Sequence, residues 1–144
     1  MITGIGHLAF RVTDLERSLD FYCGKLGFEE AFRLEREGQP SPWIVYLRLG
    51  PNQFVELFPQ GTEGTVAPRG MAAGYNHFCL VVDDMVGTLV ELRERGLEIS
   101  GEPIRGSDTN WQFWLQDPDG NAIELMQIAE GSPQAAADAR LAVG

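Results

Sequence analysis

The chain carries one pattern twice, and a repeat of this kind must be read before any single element. Gly4-Ile5-Gly6-His7-Leu8-Ala9-Phe10-Arg11-Val12 and Gly74-Tyr75-Asn76-His77-Phe78-Cys79-Leu80-Val81-Val82 are both β-rich runs with His at the fourth position. Each leads into an acidic capping signal and an amphipathic helix, from Asp14-Leu15-Glu16 to Gly27 and from Asp83-Asp84 to Gly96. Asp is a good N-cap, and Gly commonly follows a helix end. Leu15, Leu19, Tyr22 and Leu26 recur at helical spacing in the first, and Met85, Leu89 and Leu92 in the second.

Short strands follow each helix. They are predicted over 28–37, 43–50 and 53–58 in the first half, and over 97–105, 110–116 and 121–128 in the second. Turn chemistry separates the last two strands of each half: Gly50-Pro51-Asn52 in one, Asp117-Pro118-Asp119-Gly120 in the other. The chain therefore reads βαβββ twice, an α+β pattern. The first module is expected over 1–58, a linker without periodicity over 59–73 and the second module over 74–128. An Ala/Gly/Ser/Asp-rich tail over 129–144 is expected to be frayed or a short loose helix.

At 144 residues the chain is one ordinary domain, or two very small modules sharing a core. Its 44% hydrophobic and 22% charged residues suffice for a real core and argue against disorder. The formal net charge of −10 repels phosphate backbones and anionic lipids, which disfavours nucleic-acid and membrane-surface roles. No apolar run reaches the roughly 20 residues of a membrane-spanning helix, and the opening Met-Ile-Thr-Gly-Ile-Gly lacks signal-peptide character. Cys23 and Cys79 make no disulfide framework. A soluble, acidic, cytoplasmic single domain is the expectation.

Alternation along strands assigns faces. Leu8, Phe10 and Val12 share one face, and His7, Ala9 and Arg11 the other. Val55 and Leu57 oppose Glu56; Phe78, Leu80 and Val82 oppose His77; Ile123 and Leu125 oppose Glu124. The aliphatic parity must face the helices, leaving His7, Glu56, His77 and Glu124 on the other surface. A mid-strand Glu among aliphatics is a poor β former and costly to bury unpaired. Two such Glu and two His at equivalent repeat positions need one explanation. A divalent metal (Ni, Zn, Co, Mn or Fe) bound by two imidazoles and two carboxylates supplies it. The metal-free alternative pairs each Glu with an Arg, such as Arg11 or Arg48.

These residues carry a resemblance. The two βαβββ modules, the run from His7 to Tyr22, the Lys25-Leu26-Gly27-Phe28 helix end and the Asp117-Pro118-Asp119-Gly120-Asn121 turn before Ile123-Glu124-Leu125 resemble the vicinal oxygen chelate superfamily. That group holds the glyoxalases, bleomycin-resistance proteins and extradiol dioxygenases, and the likeness spans about Ile2 to Ile128. It implies a curved eight-stranded half-barrel sheet around a metal held by His7, Glu56, His77 and Glu124. The match to glyoxalase I is good at all four, and Arg11 matches the position where that enzyme directs an Arg toward the glutathione carboxylate. Methylmalonyl-CoA epimerase typically has Gln where this chain has Glu56. Fosfomycin-resistance enzymes and extradiol dioxygenases use a His, His, Glu set, and dioxygenases are usually about twice this length.

The chemistry implied is that of a metal-dependent lyase or isomerase. Two vicinal substrate oxygens bind the metal, and Glu124 or Glu56 moves a proton through an enediolate. Both His are already assigned as ligands, so no further His is available as a base. Phe54, Phe58 and Tyr75, placed on strands at ligand parity, are candidate substrate-binding residues beside Arg11. Trp43, Trp111, Phe113 and Trp114, also placed on strands, read as packing. Arg69 and Met71 in the linker could overhang the site. Cys79 shares the parity of His77, and Cys23 reads as packing. A drug-binding protein of the bleomycin-resistance kind is the competing class, since the negative charge favours a cationic ligand. A metal-dependent resistance enzyme that opens an antibiotic ring, an epimerase-like isomerase and a dioxygenase are further alternatives. The resemblance also implies a homodimer, with the site closed within one chain or across two.

Overall fold

A computed structural model describes residues 1–63 and 73–142 of the chain. It divides into two units, Met1–Pro68 and Arg69–Gly144. The first holds β1 (His7–Arg11), α1 (Leu15–Leu19), β2 (Glu29–Leu34), β3 (Ile44–Gly50) and β4 (Gln53–Phe58). The second holds β5 (Phe78–Val81), α2 (Met85–Glu94), β6 (Ile104–Arg105), β7 (Trp111–Gln116), β8 (Ala122–Gln127) and a further helix, α3 (Pro133–Leu141). The architecture is α+β, and the βαβββ order appears twice.

The eight strands form two four-stranded sheets, in the orders β1-β4-β3-β2 and β5-β8-β7-β6. In each, the first strand lies parallel to the last, while the remaining pairs are antiparallel. That closure places the start of each module beside its end, which is why residues far apart in sequence share a sheet face. The aliphatic parity is buried as its spacing demands. Val12, Val45, Leu47, Val55 and Leu57 are fully enclosed in the first module, with Phe21 and Tyr22 from the helical segment. In the second, Phe78, Phe113, Leu115, Ile123 and Leu125 are buried, as are Met85, Leu89 and Leu92 of α2.

Helix starts follow the capping signals. Asp14 accepts the backbone N–H of Arg17 at 3.0 Å, and Asp84 accepts that of Val86 at 3.1 Å. Gly27 and Gly96 take left-handed φ values of 80° and 82° just past the helical segments, where a side chain is strained and glycine is not.

Several boundaries differ from expectation. The first helix is not uniform: α1 gives way to a π-helical stretch, Asp20–Lys25, in which Phe21 and Tyr22, adjacent in sequence, are both buried. The strand expected over 97–105 shrinks to Ile104–Arg105. Gly101 at φ 89° and Pro103, which has no N–H to donate, break it upstream. Trp43 and Tyr75 fall outside strands. The tail forms α3, whose start is fixed by Ser132 Oγ accepting from Ala135 N at 3.2 Å. Among the described residues no helix is long and apolar enough to cross a membrane.

Candidate metal centre

In the first module Glu56 sits mid-strand in β4, paired with Ala9 of β1 on one side and Tyr46 of β3 on the other. His7 precedes Ala9 by two residues and so shares the face of Glu56. Its Nδ1 lies 3.4 Å from Glu56 Oε1. Glu56 is 5% exposed, while His7 is half exposed. The Tyr46 hydroxyl hydrogen-bonds the Glu56 carboxylate, which, with burial and the carboxylate's charge, holds the phenol above its usual range.

The second module repeats the arrangement. Glu124 lies mid-strand in β8 between Cys79 of β5 and Trp114 of β7, and it is 7% exposed. His77, two residues before Cys79, places Nε2 at 3.1 Å from Glu124 Oε2. Its other ring nitrogen, Nδ1, lies 2.7 Å from Asn76 Oδ1, and Trp114 meets the ring edge-on at 4.8 Å. The Cys79 thiol is pushed up to about 12, by burial first and then by the charge and hydrogen bond of Glu124.

The donor set tests whether a cation fits. With Nδ1–H donated to the Asn76 amide oxygen, the Nε2 lone pair would face the Glu124 carboxylate. Two acceptors at that separation are compatible when a proton or a metal ion lies with them. Imidazole nitrogen beside carboxylate oxygen is the donor chemistry of divalent transition ions. Among the described residues no group of three or more His, Cys, Asp or Glu side chains is gathered in one place. Each unit thus presents one His–Glu pair.

Arg11 and Arg48 make contacts elsewhere than on these carboxylates. Arg48 Nη1 lies 3.6 Å from Glu29 Oε2, and the Arg11 guanidinium stands over the Phe58 ring at 5.6 Å. Phe54 pairs with His7 in the ladder and meets Tyr46 edge-on at 6.3 Å. Phe58 meets Trp43 edge-on at 6.2 Å. Arg11, Phe54 and Phe58 therefore share the module of His7 and Glu56. Tyr75 is displaced from expectation: it precedes β5, so strand parity does not orient it. Its hydroxyl accepts the Phe78 backbone N–H and is raised by burial and by Asp117. Arg69 and Met71 lie outside the described residues. Tyr46 and Asn76 are the site neighbours that sequence reading did not single out.

Residues 4–125 match the family model of the Glyoxalase/Bleomycin resistance protein/Dioxygenase superfamily. The chain belongs to that superfamily. A probable lactoylglutathione lyase of Synechocystis sp. is 32% identical, over 85% of this chain and 94% of that one. A catechol-2,3-dioxygenase of Bacillus subtilis is 29% identical, over 85% of this chain but 41% of its own length. Among solved structures, a superfamily member from Sphaerobacter thermophilus aligns with a TM-score of 0.65 at 26% identity, covering 88% of this chain and 98% of the other.

Proposed function

We propose that the protein is a metal-dependent lyase or isomerase of the glyoxalase I kind, working on a small substrate with two adjacent oxygens. The observation that carries this reading is the His–Glu pair built twice at one register, His7 with Glu56 and His77 with Glu124, each carboxylate buried mid-strand. Relatives named lactoylglutathione lyase, at 28% and 32% identity, support the same class. The chain covers less than half of its dioxygenase relative, and its two His are both in the proposed ligand set. Oxygen chemistry is therefore the weaker reading.

His7, Glu56, His77 and Glu124 would together hold one divalent ion: Ni, Zn, Co, Mn or Fe. Such an ion supplies Lewis-acid polarisation of adjacent substrate oxygens. Glu124 or Glu56 takes the proton from the carbon next to the carbonyl, the C–H electron pair moves toward the carbonyl carbon, and the oxygen gathers the charge. The same carboxyl returns the proton to the neighbouring carbon, so the rearrangement needs no co-reactant. Phe54 and Phe58 offer an apolar wall, and Arg11 a cation for a substrate carboxylate. A homodimer is part of the proposal, tested by light scattering.

The functional test is an assay of the metal-loaded protein on glutathione hemithioacetals of 2-oxoaldehydes. Conversion to the 2-hydroxyacyl thioester is expected with at least one of the five ions. Metal-loaded protein inactive on all such adducts would contradict the lyase assignment.

A further inference from the structure

The two halves are alike in their His–Glu pairs and unlike in the residue beside each carboxylate in the ladder. Beside Glu56 in the ladder stands Tyr46; at the corresponding place beside Glu124 stands Trp114. A phenol offers an O–H that can be directed at a carboxylate oxygen. Tyr46 is itself fixed from both sides, stacked on Phe32 at 4.3 Å and edge-on to Phe54 at 6.3 Å. Its hydroxyl is therefore set by ring packing on the same face as the carboxylate it meets.

Resting on the metal reading above, we infer that Tyr46 is the positioning residue of the first half. Its hydroxyl donates to the Glu56 carboxylate and fixes the orientation in which one carboxylate oxygen meets His7. A buried carboxylate needs compensating hydrogen bonds, and a bond to an ionised acceptor is the stronger kind. Held in this way, Glu56 keeps Oε1 at 3.4 Å from His7 Nδ1. In the second half, the thiol of Cys79 hydrogen-bonds Glu124. Outer partners of metal ligands typically set affinity by about 10- to 100-fold, which gives the scale of the effect.

The test compares wild type, Tyr46→Phe and Tyr22→Phe, the last making the same chemical change in the buried core of the same module. In metal-free protein the 13C resonance of the Glu56 carboxyl carbon, assigned with Glu56→Gln, is expected to move in Tyr46→Phe and stay in place in Tyr22→Phe. Cobalt affinity, read by competition with a chelating dye, is expected to weaken about 10-fold or more in Tyr46→Phe alone, with the far-UV circular dichroism unchanged. An unmoved resonance, or wild-type cobalt affinity in Tyr46→Phe, would overturn the inference. A wild type that binds no cobalt at all while the resonance still moves would instead defeat the metal reading and leave the hydrogen-bond assignment standing.

Discussion

Glu56 and Glu124 occupy one and the same station in two separate sheets. Each is buried in the middle of its module's last strand, with a His two residues upstream of its partner on the first strand. A single buried Glu on a strand is an accident that packing can absorb. Its repetition with the same His, at 3.4 Å in one module and 3.1 Å in the other, is the observation on which the metal proposal rests.

If these carboxylates move the substrate proton, their amides cannot. Glu56→Gln and Glu124→Gln keep the side-chain volume and an acceptor oxygen, so the fold persists. Loss of a general base typically lowers turnover by about 10²- to 10⁴-fold. At least one variant is expected to fall in that range in kcat, measured on the hemithioacetal assay beside circular dichroism. Full turnover in both would exclude the proton-transfer role.

Leu57, fully buried on β4 between the ladders to β1 and β3, anchors the strand that carries Glu56. Leu57→Ala is expected to destabilise the protein by about 2–5 kcal/mol, through lost burial plus a cavity. Urea denaturation followed by fluorescence reads this directly, and a midpoint equal to wild type would contradict the packing described.

Asn110 holds the start of the tail to the second sheet. It is fully buried; its Oδ1 accepts from Ala129 N at 2.9 Å, and its Nδ2 donates to Asp108 Oδ2 at 2.8 Å and Gln134 Oε1 at 3.1 Å. Removing these partners in Asn110→Ala costs on the order of 1–3 kcal/mol per buried group left unsatisfied. Hydrogen exchange is expected to accelerate over 129–141 and to change little in the first module.

Cys79 should behave as a poor nucleophile despite its solvent access. Burial and Glu124 raise its thiol from an ordinary 9.0 to about 12, so the folded state favours the protonated form. Because the folded value lies above the unfolded one, this group's stabilising contribution is complete below about pH 9. It is lost as pH rises toward 12. In a Cys23→Ser background at pH 8, alkylation by iodoacetamide is expected to be more than about tenfold slower in native than in unfolded protein. Glu124→Gln should accelerate it. Equal native and unfolded rates would show that the fold does not raise the thiol, and an unchanged native rate in Glu124→Gln that Glu124 does not act on it.

What the sequence made legible was whatever depends on local period. Strand alternation placed Val55, Leu57, Ile123 and Leu125 inward and both Glu on the other face, and helical spacing picked out Met85, Leu89 and Leu92, all buried. What it hid depends on register. Gly50 pairs with Gln53 at the hairpin, and counting back from there sets Tyr46 opposite Leu57, on the wrong face. The irregularity between Arg48 and Gly50 shifts the ladder by one and brings Tyr46 opposite Glu56, a change no periodicity announces. Tyr75 was misplaced for a related reason: its β-like run extends upstream of the first laddered residue, Phe78, and pairing rather than propensity decides where a strand begins.

The most direct test of the proposed four-residue centre is the metal content of purified, reconstituted protein by mass spectrometry, for wild type, His7→Ala and His77→Ala. One imidazole–carboxylate half is too few donors for a transition ion at typical N/O sites, so about one ion per chain is expected in wild type and far less in either variant. No ion in the wild type, or full occupancy in His77→Ala, would contradict a centre built from both halves.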